Sequence, residues 1–340
     1  MGLFSKDIGI DLGTCNTLVH IKGRGIVLRE PSVVAIDRYT NQVIAVGNDA
    51  KEMLGRTPEN LKAIRPLKDG VIADFTATIK MLKYFLDKAC RKYVFIRPRI
   101  VICVPLGVTE VEKRAVEEAT YDAGAKEVFL LEEPMAAAIG AGLKISEAQG
   151  SMIVDIGGGT SEIAVISLGG IVRSKSLRIA GDKLNEVIIS YIRKEFNVVI
   201  GETTAEEIKN TIGSAYPSMT QEEMNVKGRD IQTGLPRPIT INSTQVEDAM
   251  KEVILQIVDG IKSTLEVTPT ELAADIMING ITLSGGCALI KNLDRLISLE
   301  TGIPVNIAPN PLDCVARGAG KVLEDIESLR SILISKKIKI

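Results

Sequence analysis

The chain contains a single histidine, His20. A Ser-His-Asp mechanism would have to rest on that one residue, which falls inside a predicted strand as a packed or edge side chain. Carboxylates and backbone dipoles must therefore carry any hydrolysis. The five cysteines, Cys15, Cys90, Cys103, Cys287 and Cys314, are odd in number, scattered and without a CxxC pair. Neither a disulfide framework nor a zinc site is expected, and a reducing cytoplasm is. There is no basic surplus: 41 Lys+Arg against 43 Asp+Glu leaves a net charge of −2, which argues against nucleic acid as a partner. No apolar run approaches the roughly 18 residues of a transmembrane helix. The stretch Met1 to Lys6 is too short for a signal peptide and meets Asp7 at once, and Lys6 fills the Ser/Thr position of a myristoylation pattern. No GxxxxGK[ST] is present, so a P-loop enzyme is excluded.

What is present is globular in character, with 45% hydrophobic and 25% charged residues, and 340 residues suffice for two domains with adequate cores. The organising stretch is Met152-Ile153-Val154-Asp155-Ile156-Gly157-Gly158-Gly159-Thr160-Ser161-Glu162, running on into Ile163 to Ile166. An apolar run, an acid, three glycines and a returning apolar run predict a β-hairpin. Glycines let backbone N–H groups close on an anion, and an Asp at the strand end implies a bridging cation, Mg²⁺, if that anion is phosphate. Alone, the stretch reads equally well as a tight hairpin with a solvated acid. The echo Ile8-Gly9-Ile10-Asp11-Leu12-Gly13-Thr14-Cys15-Asn16-Thr17-Leu18-Val19 decides for function. Two Asp-Gly-Thr hairpins so far apart suggest two similar half-molecules, each offering a phosphate-binding turn to one cleft.

Strands alternating with helices indicate an α/β architecture. Helices are predicted over Thr76 to Cys90, from the capping pair Thr109/Glu112 to about Ala123, over Met135 to Leu143, along Leu184 to Phe196, from Thr204/Glu207, from Thr244/Glu247 through Leu265, over Ala288 to Thr301, and near the end from Asp313 to Leu329. The first domain is expected over 1–147, with a small subdomain about 33–65 and a C-terminal helix over 313–340 packing back on it. The second is expected over 148–312, with a small subdomain about 181–243; the boundary lies at the polar linker Glu147 to Gly150.

The two hairpins, together with Glu132-Glu133-Pro134-Met135-Ala136-Ala137-Ala138-Ile139-Gly140-Ala141-Gly142 and Ile281-Thr282-Leu283-Ser284-Gly285-Gly286-Cys287-Ala288-Leu289, resemble the actin/Hsp70/sugar-kinase superfamily. Within it the chain resembles the MreB group of bacterial actin-like proteins, from about Lys6 to about Leu329. Glu30-Pro31-Ser32, Arg65-Pro66-Leu67-Lys68-Asp69-Gly70 and Pro311-Leu312-Asp313 add to the likeness. The resemblance implies an actin-like fold: two RNase H-like domains, each with a small inserted subdomain, around a nucleotide cleft. Gly13, Thr14, Cys15 and Asn16 would hold the β- and γ-phosphates from one side, and Gly157, Gly158, Gly159 and Thr160 from the other. Asp11 and Asp155 would hold Mg²⁺ largely through its waters. Cys15 departs from the usual Ala and Cys287 from the usual Gly, and both are expected to crowd the site slightly. Glu133 is expected to orient the attacking water, with Thr160 assisting; otherwise Glu132 or Glu133 simply caps the following helix. By the resemblance Gly285, Gly286, Cys287 and Ala288 contact the adenine, and Glu206 with Lys209 the ribose and base. A surface ion pair between those last two is the plainer reading.

The implied function is an ATP-dependent, slowly hydrolysing filament protein. It would self-assemble as paired protofilaments on the inner face of the cell membrane and organise cell-wall elongation with membrane proteins of that machinery. The stretch Arg91-Lys92-Tyr93-Val94-Phe95-Ile96-Arg97-Pro98-Arg99 sets four apolar residues between cations. Val94, Phe95 and Ile96 are expected to dip into an anionic bilayer surface, with Leu3 and Phe4 as a weaker second contact; the alternative is that they tuck under the first domain. A small-substrate kinase would need an acceptor base, for which only Glu133 offers itself. An Hsp70-like ATPase would need a peptide-binding domain beyond Ile340.

Overall fold

The computed structural model describes residues 7–90, 97–217, 220–326 and 329–334. Two five-stranded sheets share one plan. In the first, Ile8–Leu12, Asn16–Ile21 and Gly25–Pro31 form an antiparallel meander; Arg99–Val104 runs parallel beside Ile8–Leu12, with Glu127–Glu132 parallel beyond it. In the second, Ser151–Ile156, Ser161–Ser167 and Gly170–Leu177 make the meander, and Ile281–Ser284 and Val305–Ile307 are the parallel additions. The two Asp-Gly-Thr hairpins thus head equivalent sheets.

Successive side chains of a strand face opposite ways, and here both faces are covered. Ile100, Ile102 and Val104 pack outward with Met81, Phe85 and Ala119 of the helices Phe75–Cys90 and Glu110–Asp122. Met152, Val154 and Ile156 pack outward with Leu184, Ile188 and Ile254 of the helices Gly181–Phe196 and Ser243–Glu266. The alternate residues Val101, Cys103, Ile153, Ala164 and Ile166 point the other way, into one shared cluster between the sheets. Near-continuous apolar strands follow directly from that double burial.

Two helices fill the shared layer: Glu133–Ala141 and Cys314–Glu324. The small side chains of Ala136, Ala137, Gly140, Gly318 and Ala319 let their backbones almost touch. A Cβ on Gly140 would fall onto the Cys314 carbonyl, and one on Gly318 onto the Ala136 carbonyl. This contact fixes the height of the first helix, whose opening residue is Glu133. Two three-stranded sheets are added, Val34–Asp37 between Val43–Val46 and Leu61–Ile64, and Glu223–Asp230 between Val198–Val199 and Pro236–Asn242, together with the two-stranded pair Leu67–Lys68 and Val71–Ile72.

Several helix ends differ from the sequence expectation. The long helix is capped by Asn242, whose side chain accepts the Gln245 N–H while Gln245 returns a bond to the Asn242 N–H. This pair has the same spacing as Thr244/Glu247 and precedes it, so it captures the helix start. Thr204 lies inside the helix Glu202–Ile212, which begins after the extended Gly201. The final helix stops at Glu324 instead of reaching 340, its Leu323 and Glu324 carbonyls accepting from Lys22 Nζ at 2.7 and 3.2 Å. Beyond it, Leu333 bridges antiparallel to Leu131 at the edge of the first sheet. The expected helix from Ala288 is a 3-10 turn, Gly286–Leu289, followed by a separate helix Leu293–Thr301 after the left-handed Asn292. The helix Thr270–Asn279 was not foreseen.

Replacing Gly318 with valine should overpack the helix pair and cost about 1–3 kcal/mol or more. Thermal unfolding should fall by several degrees, while Gly170→Ala, whose nearest neighbour would be 3.8 Å away, should leave it unchanged. Equal midpoints for the two variants would show that the helices are not in backbone contact.

Candidate functional site

The turns of the two Asp hairpins abut. A Cβ on Gly158 would fall onto the Cys15 Sγ, and one on Gly159 would stand 2.6 Å from Thr14 Oγ1 and 3.1 Å from the Asp69 backbone. Glycine is required here because one hairpin turn occupies the space where the other's side chains would be. Thr14 Oγ1 accepts the Gly70 N–H at 3.1 Å, and the Gly13 carbonyl accepts from Ser32 Oγ at 2.6 Å, so the first turn is braced from both flanks. The second turn is braced by the start of the helix Gly181–Phe196. Its Gly181 and Asp182 N–H groups donate to the Gly157 and Gly158 carbonyls at 3.2 and 2.8 Å.

Beside the turns lies a cleft of about 420 Å³, within the range of small-molecule sites. Asp11, Gly13, Thr14, Cys15 and Asn16 line it from the first hairpin, and Asp155, Gly157, Gly158, Gly159 and Thr160 from the second. Glu133, Glu206, Lys209, Gly285, Gly286 and Cys287 also line it. Ala288 does not: the 3-10 turn buries it completely behind the wall. Gly285, at φ +83°, turns the chain where a side chain would overlap the Ile156 backbone. Cys15 Sγ donates to Asp182 Oδ1 at 3.3 Å and Cys287 Sγ to the Gly157 carbonyl at 3.3 Å, so both cysteines are bonded within the wall. Burial, and then the Asp182 charge, push the Cys15 thiol up to about 12, which keeps it protonated and unreactive at neutral pH.

Glu206 and Lys209 are not paired with each other. Lys209 Nζ donates to the Gly181 carbonyl at 3.0 Å, and Glu206 Oε2 accepts from Lys51 Nζ at 3.0 Å. Several contributors escaped the sequence reading. Ser284 Oγ donates to Asp155 Oδ1 at 2.6 Å, a contact created by the parallel pairing of Asp155 with Ser284. Arg65 Nη1 meets Asp182 Oδ1 and Arg65 Nη2 meets Glu202 Oε1, each at 2.9 Å, beside the Lys51–Glu206 pair. Leu289, Pro311 and Leu312 supply an apolar rim near Gly285 and Gly286. The buried Asn185 Oδ1, on the cleft wall, has no hydrogen-bond partner among the described residues. Val94, Phe95 and Ile96, as well as Leu3 and Phe4, lie outside the described residues.

The cleft concentrates acids. Burial, and then the charge of Asp155, push Asp11 up to about 8. Burial, partly offset by the Ser284 hydroxyl, pushes Asp155 up to about 6. Glu133 is raised well above the carboxylate range by burial, and further by Glu162, Asp11 and Asp155. Such a set lacks a positive charge of its own. Among the described residues no group of three or more His, Cys, Asp or Glu side chains is arranged to hold a metal. Two carboxylates opposite each other suit a hydrated divalent cation, which keeps most of its waters and needs few protein ligands. The residues present therefore fit Mg²⁺ delivered with a polyanion.

Comparison with known proteins identifies the family and the fold. A family model described as MreB/Mbl protein matches residues 5–331. The cell shape-determining protein MreB of Escherichia coli K12 is 56% identical over 342 residues, 99% of this chain and 98% of that protein. The cell shape-determining protein Mbl of Bacillus subtilis 168 is 52% identical over 327 residues, 96% of this chain and 98% of that protein. The crystal structure of MreB5 of Spiroplasma citri bound to ADP matches with a TM-score of 0.91 at 39% identity, covering 96% of this chain and 98% of that one. Its AMPPNP complex matches with the same figures. The fold is actin-like, as the sequence resemblance implied.

The raised acids make stability depend on pH. An unfolded chain releases these protons near pH 4, whereas the folded one keeps that of Asp155 to about pH 6 and that of Asp11 to about pH 8. Between those limits the folded state holds more protons, so stability falls as pH rises, by about 1.4 kcal/mol per pH unit for each retained proton. The ligand-free protein should melt at a lower temperature at pH 8.5 than at pH 6, with a shallower slope in Asp11→Asn. A wild-type midpoint that rises over this range would mean that the cleft acids are ionised throughout.

Proposed function

The chain belongs to the MreB/Mbl protein family, and on that premise we propose that it binds ATP with Mg²⁺ between its two Asp hairpins and hydrolyses it slowly to ADP and phosphate. Bound to ATP, it assembles with copies of itself into filaments of paired protofilaments on the inner face of the cell membrane. There it works with membrane proteins of the elongation machinery to organise wall growth and rod shape. The facing Asp11 and Asp155 carboxylates between two abutting glycine turns carry the nucleotide reading. The ADP and AMPPNP complexes of the Spiroplasma citri relative support it.

In this reading the backbone N–H groups of Gly13 to Asn16 and Gly157 to Thr160 hold the phosphates from opposite sides. Gly285, Gly286, Cys287 and the rim of Leu289 and Leu312 accept a flat base. Glu206 and Lys209 serve ribose and base. Asp11 and Asp155 would hold Mg²⁺, largely through water, and the ion would neutralise phosphate charge. Glu133 receives a hydrogen bond, and finally a proton, from the water whose oxygen attacks the γ-phosphorus as the bond to the β-phosphate oxygen breaks. Burial and the neighbouring acids favour the protonated form of Glu133, which supports reading the hydrolysis as slow.

Two variants separate binding from chemistry. Asp155→Ala should abolish ATP-dependent assembly, measured by light scattering, in a folded protein. Glu133→Ala should bind ATP but release phosphate at least tenfold more slowly, about 1.4 kcal/mol of lost transition-state stabilisation. Normal ATP-dependent filaments from Asp155→Ala would remove the two-hairpin site from the account.

Among the described residues no helix is long and apolar enough to cross a membrane. Membrane attachment is assigned to Val94, Phe95 and Ile96, flanked by Arg91, Lys92, Arg97 and Arg99, from the sequence. Burying each apolar side chain yields roughly 1.5–3 kcal/mol, too little to hold a monomer after the costs of association. A filament repeats the segment, so avidity makes binding strong only on assembly. Co-sedimentation with anionic liposomes should therefore require ATP and be lost in a Val94→Ser, Phe95→Asp double variant that still polymerises in solution. Equal sedimentation of variant and wild type would sink the membrane assignment.

A further inference from the structure

Asp182 is the second residue of the helix Gly181–Phe196, and three segments distant in the chain meet on it. Its own N–H donates to the Gly158 carbonyl at 2.8 Å, in the turn of the second hairpin. Its Oδ1 accepts from Cys15 Sγ at 3.3 Å, in the turn of the first hairpin. The same oxygen accepts from Arg65 Nη1 at 2.9 Å, just beyond the strand Leu61–Ile64. Arg65 Nη1 also stands 3.5 Å from Cys15 Sγ, so the three side chains close a triangle.

Arg65 reaches further. Its Nη2 meets Glu202 Oε1 at 2.9 Å, at the start of the helix Glu202–Ile212, whose Glu206 and Lys209 line the cleft. One guanidinium thus holds the opening turns of two helices that wall the cleft. Two acids are met by two nitrogens of one rigid plane, an arrangement that lysine does not offer. The Arg65 and Asp182 side chains are 18% and 26% exposed, so water and salt weaken their charge-assisted bond less than that of a surface pair.

All of these partners belong to the chain itself, so the bonds need no ligand. Cys15 and Arg65 approach from the first hairpin's side of the cleft, and Gly158, Asp182 and Glu202 from the second. Separating the two sides must break the bonds from Cys15 and Arg65 to Asp182. A pull on Asp182 is passed on by its N–H to the Gly158 carbonyl, and so to the second turn.

We propose that Asp182 is a positioning residue that gates nucleotide exchange: its bonds to Cys15 and Arg65 must open before a nucleotide can pass between the two hairpin turns. The inference rests on the nucleotide reading above. A residue that only touches the nucleotide slows its exit and leaves its entry alone, whereas a gate slows both.

The test is stopped-flow fluorescence on the full chain with a Mg·ATP analogue carrying a methylanthraniloyl group on its ribose, measuring entry and release rate constants separately. Asp182→Asn keeps the backbone N–H and an oxygen for Cys15 but loses the charge that Arg65 meets. It should speed entry and release each by about fivefold, or about 1 kcal/mol, with Kd within about threefold of wild type. Arg65→Gln should speed both at least as much, and adding Asp182→Asn to it should speed exchange no further, because the two residues act through one bond. Cys15→Ala should speed both rates about twofold, with Cys15→Ser, which restores a donor, closer to wild type. That pair keeps the proposal testable if Asp182→Asn does not fold. Wild-type exchange in Asp182→Asn or Cys15→Ala, faster release with unchanged entry, or multiplicative gains in the double variant would each overturn the gate. A wild type that binds no Mg·ATP analogue would instead overturn the nucleotide reading.

Discussion

Two β-hairpins meet turn to turn, Gly158 against Cys15 and Gly159 against Thr14, and the meeting places two strand-end carboxylates on one cleft. Like charges in a partly dry site raise one another's proton affinity, so the apposition is unfavourable without a cation. The rest of the molecule can be understood as what holds that apposition in place. The double-sided sheets make each hairpin rigid. The small-residue helices between the sheets set the spacing of the halves, and the same contact delivers Glu133 to the cleft. Only glycine turns allow the approach, and retained protons or a bound cation relieve the charge it creates.

Beside the cleft the acids are paired with cations. Arg65 joins Asp182 and Glu202, and Lys51 joins Glu206, each pair linking residues far apart in the chain. These pairs are partly exposed, so their individual contribution is modest and salt-sensitive. Their consequence lies in placement: Asp182 also bonds the Cys15 thiol and sits at the helix start that braces the second turn, and Glu206 lines the cleft. Opening the mouth would disturb the walls that are proposed to hold the nucleotide. In the proposed function, nucleotide and filament would favour the same closed arrangement.

How far the site was legible depended on whether its chemistry was local. Asp11 and Asp155 could be read because acid, glycine turn and return strand are contiguous, and because the pattern occurs twice. Glu133 could be named because it stands where a strand becomes a Pro-initiated helix. Glu162 stood inside the quoted motif and was passed over, since its donors arrive from Leu106 and Ser176 and only the folded sheets bring them together. Ser284 is similar, its meaning set by parallel pairing with Asp155. Glu206 and Lys209 were placed at the cleft, but their partners, Lys51 and Gly181, lie in segments that periodicity does not connect. Ala288 failed because a 3-10 turn and an α-helix face different residues inward from the same glycine pair. The cap at Asn242 won over Thr244 through position alone, as both carry equally spaced partners.

A structure of the protein with Mg²⁺ and AMPPNP tests the central claim most directly. The account predicts phosphates held between residues 13–16 and residues 157–160, the ion between Asp11 and Asp155, and the base against Gly285 and Gly286. Nucleotide bound elsewhere, or phosphates touching only one of the two hairpins, would contradict it.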